Sequence, residues 1–179
     1  MRDEDDDEDE AMPRASVEAA LAWLATRASL QRAPRGALPG AILALRHRLG
    51  RELPVSLVEF LEDYHWLATN SVTTLAIEGS ERRTIEAARR VVAEFVATTW
   101  RSLPQVDATA RANGEALLAW IPVVEIGNPL PFGSALFLDE AGSFRWAGVR
   151  EFPFSRFAAH STPSFTSALL TTLAEWHDG

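Results

Sequence analysis

The chain contains no cysteine and no lysine. Without cysteine there is no disulfide, no thiolate metal site and no cysteine nucleophile. Without lysine there is no Schiff base and no P-loop of the lysine-bearing kind. All 17 of its permanent cations are therefore arginines. We read this as composition rather than mechanism, although arginine is the better bidentate anchor. The dinucleotide fingerprint G-x-G-x-x-G and the nucleophile elbow G-x-S-x-G are also missing. So is any long apolar run. The longest uncharged stretch near the C-terminus, 157–174, holds Pro163 and many serines and threonines, which argues against a membrane span.

What is present describes a globular protein. A chain of 179 residues that is 47% hydrophobic fits one domain able to bury a proper core. The net charge of −8 misleads, because Asp3 to Glu10 are all acidic, eight in a row. Residues 11–179 hold 16 arginines against 17 acids and are close to neutral. A like-charge block of this kind reads as a solvated tail, or as an acidic arm for a basic partner. The sequence thus predicts a disordered acidic tail over 1–14, with 1–12 dispensable for folding, and a folded domain over 15–179. The acidic start lacks the positive region of a secretory signal, so a cytoplasmic location is expected.

Apolar spacing places the elements. Ser16 caps a helix reaching about Leu30, on the stripe Val17, Leu21, Leu24 and Ala28. Pro34, Gly36 and Pro39 mark a linker. Ile42, Leu45 and Leu49 stripe a second helix that Gly50 ends. Pro54 starts a third, with Leu57, Phe60, Leu61 and Tyr64 buried. Val72–Ile77 reads as a strand. A fourth helix, capped by Ser80, is lined on one side by Ile85, Ala88, Val92, Phe95, Val96 and Thr99 and stops before Pro104. Residues 105–114 read as a loop, because Asn113-Gly114 is a hairpin-type turn signal. Strands follow at 117–124, 135–138 and 143–149, the last two joined by the turn Asp139–Gly142. Residues 150–164 read as irregular. A last helix over 163–176 buries Phe165, Leu169, Leu173 and Trp176. Consecutive strands on short turns pair antiparallel. The expected class is α+β: a single domain, mostly antiparallel sheet with helices packed against it.

A search for chemistry returns little. The histidines His47, His65, His160 and His177 do not fall at metal-ligand spacing. His65 follows Glu62 and Asp63, a faint ligand cluster that reads more simply as the polar end of a helix. Asp139-Glu140 resembles an acid pair for general acid–base work. In a turn closed by Gly142, however, aspartate serves to bond nearby backbone N–H groups. The arginines at 82, 83, 89, 90 and 101, and at 46, 48 and 51, alternate with acids on helices and read as solvated faces. No catalytic residue, no cofactor, no metal, no membrane and no direct nucleic-acid contact is expected. Of six tryptophans, most should be core. Trp66 stands apart at a polar helix end, where an exposed aromatic would be an interface anchor.

The stretch 117–147, LLAWIPVVEIGNPLPFGSALFLDEAGSFRWA, joins Ile121-Pro122, a Gly127-Asn128-Pro129 loop, an apolar strand, the Asp139–Gly142 turn and Trp146. With Leu53-Pro54, Phe60, Leu61 and Tyr64 upstream, it resembles the SMI1/KNR4 family of the SUKH superfamily over residues 37–177. Tyr64-His65-Trp66-Leu67 stands where that family often has Asn-Gly. The resemblance implies immunity proteins that bind and neutralise a cognate toxin, often a nuclease, without catalysis. A regulatory or scaffolding protein of the same fold is the alternative. A third reading, an enzyme or small-molecule binder with a pocket around Asp139 and Trp146, has less behind it. The partner-binding residues expected from acid clustering are Glu62, Asp63 and Trp66 at the helix end, with Asp139 and Glu140 at the hairpin tip.

Overall fold

The computed structural model describes residues 11–103, 105–150 and 157–177, with the side chains of 157–160 excepted. Its elements are α1 (Val17–Ala25), β1 (Gln31–Arg32), α2 (Pro39–Leu49), α3 (Val55–Tyr64), β2 (Leu67–Ala68), β3 (Val72–Thr74), α4 (Ile85–Ser102), α5 (Ala108–Ala119), β4 (Ile121–Ile126), β5 (Ser134–Leu138), β6 (Phe144–Gly148), β7 (Phe157–Thr162) and α6 (Phe165–Glu175). The strands form one antiparallel sheet in chain order, β1 to β7. The α+β class read from the sequence is the class observed.

Local chemistry sets most helix ends. Ser16, Thr84, Asp107 and Ser164 each accept an N–H from the residue three further on, which satisfies one of the free donors of a first turn. Gly50 closes α2 at φ +68°, as its position predicts. Four expectations need correction. The first helix ends at Ala25 rather than Leu30, and Gln31–Arg32 form the edge strand. The fourth helix is capped by Thr84, not Ser80. The strand expected over 72–77 is ladder-paired only over Val72–Thr74.

The largest miss is 105–114. It is not a hairpin loop: α5 runs straight through Asn113-Gly114 and on to Ala119, so β4 starts at Ile121 rather than 117. Gly114 is there for closeness. A Cβ on it would lie 2.5 Å from the Trp100 ring of α4, so the two helices pack face to face only because that atom is absent.

β4 is buried at all six positions, which means that both faces of the sheet are covered. Phe165 joins the elements on one side. Its ring lies 5.0 Å from Phe60 of α3 and 5.3 Å from Phe144 of β6. Each such aromatic pair contributes about 0.5–1.5 kcal/mol beyond area burial. Trp176, expected on the buried face of α6, is 43% exposed at the helix end.

The tail boundary also moves. Residues 1–10 lie outside the described residues, but Met12 is only 6% exposed and joins the core. The packed chain therefore begins before the expected boundary at residue 14. Of the irregular stretch expected over 150–164, residues 151–156 lie outside the described residues, and 157–162 form β7.

Candidate partner-binding groove

The hairpin tip is stabilised from within. Asp139 is 3% exposed. Its Oδ1 accepts N–H groups of Ala141 and Ser143, both at 2.9 Å, and its Oδ2 accepts from Arg145 Nε at 2.6 Å. Its carbonyl oxygen accepts from Arg51 Nη2 at 2.8 Å. Burial opposes ionisation of the carboxyl. The Arg145 hydrogen bond and charge and the two backbone N–H groups outweigh it, so the carboxyl is held below its ordinary range. The expectation of Asp139 as a partner-facing acid is thereby corrected: its oxygens are already taken. Glu140 beside it is exposed. Trp146 is half-buried and donates its indole N–H to Thr172 Oγ1 at 2.9 Å.

The other predicted cluster looks outward. Glu62 and Asp63 are exposed in the last turn of α3. The two clusters are not brought together. Arg51, which binds Asp139, precedes α3, whereas Glu62 and Asp63 close it. Ten residues of helix span about 15 Å.

α3 ends in strain. His65 has φ 60° and ψ −69°, and the Trp66 N–H donates to the Tyr64 carbonyl at 2.8 Å. This is a three-residue γ-turn of the positive-φ kind, rare and strained for a side-chain-bearing residue, at a cost of about 1–3 kcal/mol. The turn is held by what surrounds it. His65 Nε2 accepts the Ile77 N–H at 3.1 Å, which makes that nitrogen an acceptor and leaves the ring proton on Nδ1. The ring is 9% exposed. Burial pushes its pKa down, with Glu78 and Glu81 pulling the other way, so the histidine is neutral around pH 7.

The sharp turn lays Trp66 on the floor of a groove of about 510 Å³. One wall is the segment 33–38 and the other is the loop 78–82. Both are tethered. The Ala33 N–H donates to the Trp66 carbonyl at 3.0 Å, and the Ala37 N–H to the Leu61 carbonyl at 2.7 Å. Gly36 runs so close to α3 that a Cβ would sit 1.6 Å from the Glu62 carbonyl oxygen. The opposite loop is closed at its base, where Ala76 bridges Thr84. Trp66, 7% exposed, is therefore a floor rather than a protruding anchor. The guanidinium of Arg82 lies over it, 4.7 Å from the ring centroid, and bonds Gln31 Oε1.

Glu78 and Glu81 line the groove with Arg35 and the half-exposed Leu38. The backbone of Glu62 and Asp63 lies against Gly36 in one wall, and their exposed side chains are not part of the groove lining. None of these four carboxylates enters an ion pair among the described residues. By contrast Glu125, which is buried, pairs with Arg83 at 2.9 Å and accepts the Leu130 N–H at 3.0 Å, pinning the loop after β4.

Sequence reasoning reached Glu62, Asp63 and Trp66 but missed Glu78, Glu81 and Arg82. The signal was local: Glu78-Gly79-Ser80-Glu81 is a polar, glycine-bearing loop between apolar runs. The arginine faces of α2 and α4 are partly neutralised, as expected, with Arg48 bound to Glu86 at 2.5 Å. Among the described residues there is no group of three or more potential metal-ligating side chains. Nor is any helix among them long and apolar enough to cross a membrane.

No family model and no curated protein matches the chain. Among solved structures it is similar to a protein from Pseudomonas syringae pv. tomato, at 15% identity and a TM-score of 0.45, over 91% of this chain and 100% of that one.

Proposed function

We propose that this chain is a non-catalytic protein-binding domain that resembles SUKH immunity proteins, and that it neutralises a cognate toxin by occluding it. The observation behind this reading is the groove. It combines an aromatic floor, the half-exposed Leu38 and two carboxylates, Glu78 and Glu81, that enter no ion pair among the described residues, with the exposed Glu62 and Asp63 at the end of the adjoining helix. An apolar centre supplies contact area, and the acids in and beside the groove draw in a basic partner and raise the association rate. Occlusion of a toxin with a basic, nucleic-acid-binding cleft needs no chemistry from the inhibitor.

The test is co-expression with a toxin-like gene encoded beside this one, where the gene neighbourhood holds one, scored by cell survival. Protection is expected from the native chain. It should be lost when Glu62, Asp63, Glu78 and Glu81 are all changed to arginine in a variant that remains folded. Full protection by that variant would contradict the assignment of the surface. Killing unaffected by the native chain, together with capture of a non-toxin partner through the same groove, would replace the immunity reading with the regulatory one.

A further inference from the structure

We propose that the Trp66 face is an arginine-acceptor subsite, occupied in the free protein by the chain's own Arg82 and yielded to an arginine side chain of the partner segment. This deepens the protein-binding reading and rests on it. The first observation is Arg82 itself. Its guanidinium lies over the indole and bonds Gln31 Oε1. An aromatic face and a neutral oxygen acceptor are the two features that read a planar guanidinium, and lysine's compact ammonium uses the face less well. The groove thus already holds an example of the group it recognises.

The second observation is charge. Besides Arg82, the groove is lined by one further cation, Arg35, among the described residues. Glu78 and Glu81 share the Arg82 loop, and Glu62 and Asp63 close the adjoining helix. Within the groove Glu78 and Glu81 balance Arg35 and Arg82, so an arginine that takes the place of Arg82 keeps that balance, whereas an acidic side chain there would face both glutamates. The third observation is the buried His65 ring, which lines the groove with Nε2 occupied by the Ile77 N–H. A neutral imidazole does not repel an entering cation. Exchange needs little rearrangement. The floor is fixed by the γ-turn and the base of the loop by the Ala76–Thr84 bridge, so one side chain has to swing out.

L-Argininamide titrated into the full chain, followed through the Trp66 indole N–H resonance (identified by its loss in Trp66→Phe), tests this directly. Removing the internal competitor with Arg82→Ala should tighten argininamide binding by roughly tenfold, the scale of one cation–π contact. Lysinamide should gain less. Glu78→Gln with Glu81→Gln in that background should weaken the binding again. If Arg82→Ala does not fold, Gln31→Ala, which loosens Arg82 without touching Trp66, should give a smaller gain in the same direction. A folded Arg82→Ala protein that binds argininamide no better than the native chain overturns the subsite. The two readings fail separately. Toxin protection that persists without argininamide binding leaves the protein-binding reading standing and removes the arginine subsite. Argininamide binding without any protein partner does the reverse.

Discussion

Two acid clusters, one at a hairpin tip and one in the last turn of a helix, have opposite surroundings in this protein. At the tip between β5 and β6, Asp139 is buried and bound by Ala141, Ser143 and Arg145. At the end of α3, Glu62 and Asp63 are exposed near a groove lined by Glu78 and Glu81, and none of the four enters an ion pair among the described residues. In the sequence the two look alike: a pair of acids beside an aromatic. The difference lies in what the fold sets opposite them. The β-hairpin returns Arg145 toward Asp139, six residues away. The γ-turn at His65 instead sends the chain away from α3 and opens a space. A carboxylate whose bonds are complete supports structure, and one left without a partner is available for recognition.

Stability separates the two most sharply. Asp139→Ala should destabilise the protein by about 3 kcal/mol, because it leaves Arg145 and two backbone donors without their acceptor. Neutralising Glu62, Asp63, Glu78 or Glu81 to glutamine should stay within about 0.5 kcal/mol. Urea unfolding of the five single variants measures both. A large loss at the groove acids would mean that they too serve the fold.

A smaller effect concerns the N-terminus. Extending a deletion from residues 2–10 to residues 2–12 removes Met12 from the core and should cost a further 1.5–3 kcal/mol or so. At about 2–4 °C per kcal/mol for a chain of this size, the melting temperatures of the two truncations resolve it. Equal values would show that Met12 contributes no packing.

The two regions also titrate in different windows. Both groups have folded-state pKa values below their ordinary ones, so for both the unfolded chain binds protons more readily and stability rises with pH. For His65 the contribution is complete above its ordinary value of 6.5 and is lost as pH falls below it. For Asp139 it is complete above 3.8 and is lost only below that. Stability measured against pH should therefore show a shallow decline beginning near 6.5 that disappears in His65→Gln. The steeper acid decline should remain in that variant and diminish in Asp139→Asn.

Much of the fold was legible because its signals are local. Gly50 ends α2, Pro54 opens α3, and the Asp139–Gly142 turn joins two apolar strands. What stayed illegible depended on distance. Asn113-Gly114 reads as a turn, and nothing near it announces that Trp100 of another helix needs a missing Cβ. No glycine or asparagine marks the positive φ at His65, where the cost is met by the bond to Ile77, twelve residues on. The acids of the site were visible as a cluster, but the groove was not, since its walls come from 33–38 and 78–82. The immunity reading itself rests on the family resemblance and the groove's chemistry, and on nothing in the backbone alone.

Association kinetics with the captured partner test the central claim most directly. Changing Glu62, Asp63, Glu78 and Glu81 to arginine should slow association by about tenfold or more at low salt and flatten its salt dependence, while Glu140→Arg at the hairpin tip leaves the rate unchanged. The opposite pattern, a slow Glu140→Arg and an unaffected groove variant, would place the binding surface at the hairpin and contradict the account.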